Sequence, residues 1–168
     1  MSGPAEEIAD LVDEDDVVVG QATRAEIRAR NLRHRGVGVL VRNKVGAVYV
    51  HRRTESKDVF PGLFDMFVGG MVGAGESYEE AARRELAEEL GITGVALRFL
   101  VKDLYTGAAN NCFSEVYEVA WDGDVTPQRS EIAWGEWVDE AELARRLDER
   151  EFVPDGLQIY RRLFGAGS

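Results

Sequence analysis

Cysteine and histidine are scarce in this 168-residue chain, which contains one cysteine, Cys112, and two histidines, His34 and His51. A single cysteine cannot form an internal disulfide, which agrees with a reducing compartment. Apolar runs such as residues 17–19 are far too short to cross a bilayer. The acidic N-terminus also lacks the apolar segment of a secretory signal. We therefore expect a cytoplasmic protein with no membrane partner.

The chain has fewer basic than acidic residues, with 20 Lys and Arg and 31 Asp and Glu, which gives a formal net charge of −11. Proteins that bind nucleic-acid polymers neutralise phosphates with basic residues, so this balance argues against such a partner. A small phosphorylated ligand stays compatible if divalent cations lie between it and the protein. The basic residues that are present cluster in one stretch, which is interpreted as a solvated surface: Arg24, Arg28, Arg30, Arg33 and Arg35.

The order of predicted elements indicates an α/β (α+β) fold with a mixed β-sheet. Residues 1–12 have helix-compatible apolar spacing, and a short strand is predicted at 17–23. Further strands are predicted at 36–41, 47–52, 65–68, 95–104, 113–121 and 133–138, and closing helices at 140–147 and 155–164. The length suits a single domain over residues 1–168, with a core at about 33–165 and residues 1–32 packed on it as an extension.

The best-defined helix follows a glycine-rich loop and begins after Ser77, which forms a capping-box pattern with Glu80. Gly91 is predicted to end this helix in the left-handed conformation. Glu85 and Glu89 are four residues apart and share one helix face, and Glu88 adjoins it. Crowded carboxylates repel one another unless a cation lies among them, and Mg²⁺ is typically bound by a few carboxylates together with substrate phosphates.

The segment from Gly70 to Ile92 resembles the Nudix box, a motif of nine defined positions over 23 residues. All nine are filled here: Gly70, Glu76, Arg84, Glu85, Leu86, Glu88, Glu89, Gly91 and Ile92. The resemblance implies the Nudix fold, a mixed β-sheet sandwiched between helices with the box as a loop–helix–loop catalytic motif. It also implies a metal-dependent hydrolase that cleaves a diphosphate linkage in a nucleoside diphosphate derivative or a similar small organic diphosphate. Family members are often dimers, so a homodimer is a further expectation.

Residue roles follow from the same resemblance. Glu85 and Glu89 would be the main ligands of Mg²⁺ or Mn²⁺, with support from Glu88, directly or through water, and from the carbonyl of Gly69 or Gly70. Independently of the resemblance, Arg84 is expected to pair with Glu76 or with a neighbouring carboxylate and to fix its orientation. The general base varies within the family, and it would be either a box glutamate such as Glu88 or a later one, for which Glu131 is the candidate.

A second resemblance, over residues 13–120, is to the Nudix branch related to isopentenyl-diphosphate isomerase. In that branch the counterparts of Arg53 and Lys57 lie close to the substrate's diphosphate. The isomerase's catalytic cysteine position is Gly69 here, and its catalytic glutamate region falls at residues 110–112, which contain no carboxylate. Two alternatives to the hydrolase stay open: an isomerase-like enzyme with relocated residues, and a non-catalytic Nudix-like ligand sensor. Sensors usually lack box carboxylates, and this chain has them all.

Overall fold

Nine strands and four α-helices make up the fold in the computed structural model, which describes residues 3–165. In chain order they are β1 (Ile8–Val12), β2 (Val18–Thr23), α1 (Arg24–Arg30), β3 (His34–Arg42), β4 (Val48–Arg53), β5 (Phe64–Asp65), β6 (Val68–Met71), α2 (Tyr78–Leu90), β7 (Arg98–Thr106), β8 (Asn111–Ala120), β9 (Ile132–Val138), α3 (Glu140–Glu149) and α4 (Pro154–Phe164). β3 runs parallel to β8 and antiparallel to β4 and β6, so the main sheet is mixed as predicted.

Helices cover both faces of this sheet. Successive residues of a strand point to opposite faces, so neighbouring residues of β3 pack against different helices. In β3, Val39 packs in the same cluster as Leu86 of α2. Its neighbour Leu40 packs on the other face with Leu143 of α3 and Ile159 of α4. All five are at most 5% exposed, and full burial of such a side chain stabilises the fold by about 1.5–3 kcal/mol. The predicted sandwich of a mixed sheet between helices is therefore confirmed.

The helix predicted within residues 1–12 is wrong for residues 8–12. These residues form β1, which pairs antiparallel with β2, while Pro4–Glu6 form a short 3-10 turn and residues 1 and 2 lie outside the described range. An isolated helix of this length is marginal in water, and strand pairing buries Ala9 in a small cluster with Ile27 and Met71. Tertiary packing thus overrides the helix-compatible spacing.

Helix α1 was not predicted, although its N-terminal signal is in the sequence. The Thr23 hydroxyl accepts a hydrogen bond from the Glu26 amide at 3.2 Å, and Asn31 closes the helix in the left-handed conformation at φ 52°. The pattern Thr-x-x-Glu is that of a capping box. The consequence is functional, because α1 presents Arg24 and Arg28 to the interior of a cleft described below.

The strand predicted at 65–68 is interrupted. Met66 and Phe67 are buried between β5 and β6, where the Asp65 carboxylate accepts a hydrogen bond from the Phe67 amide at 3.0 Å. The break separates the strand that pairs with β4 from the strand that carries Gly69 and Gly70 beside β3.

Within residues 3–165, none of the helices combines the length and the apolar character needed to cross a membrane.

Candidate active site

The box begins on strand β6, where two glycines allow neighbouring groups to approach the backbone closely: strand β3 at Gly69 and the Glu85 carboxylate at Gly70. Gly69 and Gly70 pair with Gly38 and Val37 of β3. A Cβ atom built on Gly70 would lie 2.6 Å from Oε1 of Glu85, so only glycine leaves room for that carboxylate. Gly75, at φ 76°, then turns the chain towards α2. The loop therefore brings the β6 backbone directly against the carboxylates of α2.

The start and end of α2 match the sequence prediction. The Ser77 hydroxyl accepts from the Glu80 amide at 3.1 Å, and the Glu80 carboxylate accepts from the Ser77 amide at 3.0 Å, which completes the capping box. Gly91 ends the helix in the left-handed conformation at φ 70°. With both ends defined, the register of the three box glutamates on the helix surface is set.

Arg84 is the organising cation of the box. Its guanidinium donates two hydrogen bonds to the Glu76 carboxylate, at 2.8 and 2.9 Å, in the bidentate geometry that gives strong, directional ion pairs. It also contacts Glu85 at 2.7 Å, and Glu88 at 3.4 Å. Hydrogen bonds from Arg84 lower the pKa of Glu76. The predicted Arg84–Glu76 pair is present, and it ties the loop to the helix.

The three box glutamates differ sharply in exposure. Glu89 is only 5% exposed, and its Oε2 accepts a hydrogen bond from the Gly69 amide at 2.8 Å. Burial raises the pKa of Glu89, and the nearby charge of Glu85 raises it further. Burial likewise raises the pKa of Glu85. Glu88 is half exposed, at 51% of its side chain. A buried pair of like charges of this kind favours a bound cation, because the cation offsets both desolvation and repulsion.

The donor set suits a hard divalent cation. Glu85, Glu88 and Glu89 supply carboxylate oxygens, which Mg²⁺ and Mn²⁺ prefer, and Gly70 leaves a cradle that a Cβ would fill. Among residues 3–165, no group of three His, Cys, Asp or Glu side chains is arranged as a complete metal cage. Mg²⁺ does not require one, since it usually keeps several waters and uses one or two carboxylates with substrate phosphates.

The box lines one wall of a cleft of about 1110 Å³. The acidic wall carries Glu85 and Glu88, and Lys57 and Glu131 also line the cleft, where they form an ion pair with each other. Glu131, the predicted later-loop carboxylate, thus lies in the same cleft as the box and contacts the ammonium group of Lys57. Arg53, the other predicted phosphate ligand, ends β4 and lines a smaller adjoining cavity together with Lys57.

Two arginines of α1 complete the cleft, and the interpretation of this stretch as solvated surface is wrong for them. The side chains of Arg24 and Arg28 are each only 17% exposed, and both contact the Asp58 carboxylate, at 2.8 and 3.4 Å. Burial would raise the pKa of Asp58, but the hydrogen bond and charge of Arg24, together with the charge of Arg28, outweigh it and lower that pKa strongly. Folding of the N-terminal segment places both arginines in the lining of the cleft. A count of charged residues along the sequence does not reveal this placement.

The histidines and the cysteine are interior residues in this region. His34 and His51 are each 2% exposed, and burial lowers their pKa values to about 4 and about 3. Burial raises the pKa of Cys112 to about 12, which excludes a reactive thiolate at neutral pH. The box carboxylates and the cleft cations therefore remain the candidate functional groups of the site.

Asp65, at the inner end of the site, provides a pH-dependent stability test. Burial, and then the carboxylate of Asp155, raise the pKa of Asp65 to about 7. The unfolded value is about 3.9, so the folded state binds this proton more tightly, and stability falls as pH rises from about 4 towards 7. We expect Asp65→Asn to gain stability relative to the parent over that window, by at most ~1.4 kcal/mol per pH unit.

Urea unfolding of parent and variant at several pH values measures this difference directly. The exposed Val45→Ala variant is the control, because it changes no ionisable group, and its difference from the parent should stay constant. A pH-independent difference for Asp65→Asn would contradict the assigned titration.

Comparison with known proteins places this geometry in a family. The family model described as NUDIX domain matches residues 32–162. A protein named as an uncharacterized Nudix hydrolase of Streptomyces coelicolor is 57% identical over 161 residues, covering 95% of this chain and 89% of that one. The uncharacterized Nudix hydrolase YfcD of Escherichia coli is 38% identical over 154 residues, covering 90% of this chain and 83% of that one.

Solved structures agree with the sequence relatives. The crystal structure of a Deinococcus radiodurans protein superposes with a TM-score of 0.82 at 34% identity, covering 94% of this chain and 99% of that one. The similarity thus extends through the N-terminal strands and α1 as well as the box, and the chain belongs to the Nudix hydrolase family.

Proposed function

We propose that this Nudix hydrolase is metal-dependent and cleaves a diphosphate linkage in a nucleoside diphosphate derivative or a similar small organic diphosphate. The observation that carries the proposal is that box carboxylates and cations line the same cleft. Glu85 and Glu88 line one side, and Arg24, Arg28 and Lys57 also line the cleft. A diphosphate fits between them because metal ions on the carboxylates and direct cations can neutralise different phosphate oxygens.

Glu85 and Glu89 would hold Mg²⁺ or Mn²⁺, supported by Glu88 and the Gly70 carbonyl. When bound, the metal would lower the pKa of water and stabilise negative charge at phosphorus. Arg84 positions the set, since its contacts to Glu76, Glu85 and Glu88 fix the side chains before substrate arrives. Positioning of this kind is a large part of catalysis in phosphoryl transfer.

Two carboxylates of the cleft are suited to accept the proton of the attacking water. Glu88 is half exposed and makes only the 3.4 Å contact with Arg84, so its other oxygen is open to water. Glu131 lies beside Lys57. In this proposal Lys57 contacts a substrate phosphate and places Glu131 next to it. Comparing pH–rate profiles of Glu88→Gln and Glu131→Gln identifies the base, because loss of the base removes the acidic limb of the profile.

Metal removal is the test of the proposed activity. Hard oxygen donors without cysteine favour Mg²⁺ or Mn²⁺ over Zn²⁺. We expect hydrolysis of a diphosphate substrate to vanish with chelator and to return with either ion, as measured by release of phosphate or nucleotide. Full activity in metal-free protein would contradict the proposal. Conversion of isopentenyl diphosphate without phosphate release would indicate an isomerase, and saturable binding without turnover would indicate a sensor.

Arg53→Ala tests the direct phosphate contact. Arg53 and Lys57 line the same cavity, and a charge-assisted hydrogen bond contributes about 1.5–3 kcal/mol. We expect KM to rise about tenfold or more with kcat changed far less, because such a contact holds substrate and transition state alike. The control is Arg161→Ala on the exposed side of α4, which should keep parental kinetics. Unchanged KM in Arg53→Ala would remove Arg53 from the substrate site.

A further inference from the structure

The N-terminal strand β1 runs beside the glycine-rich loop of the box. The Ile8 carbonyl accepts a hydrogen bond from the Ala74 amide at 2.9 Å, and the Asp10 carboxylate accepts one from the Gly75 amide at 3.0 Å. β1 precedes residue 32, where the match to the family model begins. The loop of the box is therefore held by a segment that lies outside the matched domain.

Both oxygens of the Asp10 side chain are hydrogen-bonded. The residue is only 7% exposed, and its Oδ1 accepts from the side-chain amide of Gln21, its partner in register on β2, at 3.1 Å. Its Oδ2 is the acceptor for Gly75. Burial of a carboxylate is costly unless hydrogen bonds satisfy its oxygens, so these two bonds favour a single orientation of the side chain.

A chain of contacts leads from Asp10 to the carboxylates of the box. Gly75, at φ 76°, immediately precedes Glu76. The Glu76 carboxylate accepts two hydrogen bonds from Arg84, at 2.8 and 2.9 Å, and Arg84 contacts Glu85 at 2.7 Å. The place at which Asp10 holds the Gly75 amide therefore sets where Glu76 meets Arg84, and through Arg84 the position of Glu85.

We infer that Asp10 is a positioning residue of the hydrolytic site, which holds the box loop so that Glu85 is placed to bind the metal. The inference rests on the proposed metal-dependent hydrolysis. Within residues 3–165, Asp10 belongs to the lining of neither the cleft nor the smaller adjoining cavity, so it acts through the loop and not on the substrate. Its loss should weaken metal binding and lower kcat, while KM for the substrate changes far less.

Two substitutions of Asp10 separate a hydrogen-bonding role from a role of charge. In Asp10→Asn the carboxamide oxygen can still accept from the Gly75 amide, and the Gln21 amide can turn to present its oxygen to the new donor. In Asp10→Ala no acceptor is left. We expect Asp10→Ala to bind Mn²⁺ about tenfold more weakly and to lower kcat about tenfold, because small displacements of catalytic groups are costly, and Asp10→Asn to remain near the parent in both.

Binding of Mn²⁺ is measured by electron paramagnetic resonance on substrate-free protein, so this readout does not depend on turnover. Kinetics use the compound that the parent cleaves fastest among nucleoside diphosphates, nucleotide sugars and dinucleotides. Asp13→Ala is the matched control, since Asp13 accepts hydrogen bonds from the Asp15 and Val17 amides, at 2.8 and 3.0 Å, in the turn between β1 and β2. It should lower the melting temperature while Mn²⁺ affinity and kcat stay parental.

Parental Mn²⁺ affinity and kcat in Asp10→Ala would overturn the inference. Equal losses in Asp10→Ala and Asp13→Ala would overturn it too, because the cause would then be stability of the hairpin. Equal losses in Asp10→Ala and Asp10→Asn would assign the effect to charge and would also refute it. If Asp10→Ala does not fold, Asp10→Glu replaces it, since the longer side chain keeps the charge but displaces the acceptor oxygen, and the same losses are expected.

The parent protein distinguishes failure of this inference from failure of the proposed function. If the parent neither binds Mn²⁺ nor hydrolyses any compound of the panel, the proposed function fails and the role of Asp10 fails with it. If the parent does both and Asp10→Ala does both equally well, the role of Asp10 alone is refuted.

Discussion

Glu89→Gln is expected to lower turnover by roughly 10²-fold or more, equivalent to about 2.7 kcal/mol of lost transition-state stabilisation. Glutamine keeps the volume of the side chain and can still accept the hydrogen bond from the Gly69 amide. What it removes is one negative charge from a buried group whose pKa is raised by burial and by Glu85. The folded apo protein should therefore be as stable as the parent, or slightly more stable.

The stability of the same variant in the presence of metal gives an independent readout. A cation that binds only the folded state stabilises it by mass action, so Mg²⁺ should raise the parental melting temperature and raise that of Glu89→Gln much less. Glu14→Gln, an exposed glutamate far along the chain from the box, should behave as the parent in both measurements. Parental turnover in Glu89→Gln would show that the box carboxylates form a solvated acidic helix and nothing more.

Gly70→Ala is expected to reduce activity by at least about tenfold, because a Cβ at this position would lie 2.6 Å from Oε1 of Glu85 and 2.7 Å from its Cδ. The atoms in conflict belong to a side chain rather than to the backbone, so the Glu85 carboxylate can move away and the fold can survive. Movement of about 1 Å at a catalytic group commonly costs a large factor in rate. Steady-state kinetics and thermal melts of the variant separate the loss of activity from any loss of stability.

Gly73→Ala in the same loop is the matched control. A Cβ there would lie 3.5 Å from Oε1 of Glu76, an ordinary van der Waals distance, and the residue has no left-handed backbone to strain. We expect near-parental kinetics and stability. If Gly70→Ala and Gly73→Ala behaved alike, the close approach of Gly70 to Glu85 would have no catalytic meaning.

Sequence reasoning was most successful where local rules and packing agree. The capping box of Ser77 and Glu80 and the terminal Gly91 are local features, and the structure reproduces both. The mixed sheet followed from the order of elements, and its place between helices was implied by the resemblance to the Nudix box. Residues 8–12 were mispredicted because pairing with β2 decides their conformation, and pairing is a non-local property that apolar spacing does not encode.

The parts of the site that escaped prediction are those assembled from distant segments. Arg28 meets Asn110 across 82 positions of the chain, and Asn110 meets Asp155 across another 45. The smaller cavity that adjoins the cleft is therefore not marked by any contiguous sequence motif, unlike the box. Within the described residues, Nδ1 of His51 has no hydrogen-bond partner, and this too is visible only in the structure. Composition says nothing about which polar groups lack a partner.

The cationic side of the cleft and its acidic helix belong to different stretches of sequence, and this separation has an evolutionary consequence. Arg24 and Arg28 come from α1, before the region matched by the family model, whereas Glu85 and Glu88 come from α2 within it. In the proposed function, mutations in α1 would alter which molecules are held without touching the residues that are proposed to perform hydrolysis. Under that proposal, a lineage carrying this fold would be able to acquire new ligand preferences by drift in α1, within its first 30 or so residues, while selection kept the α2 glutamates unchanged.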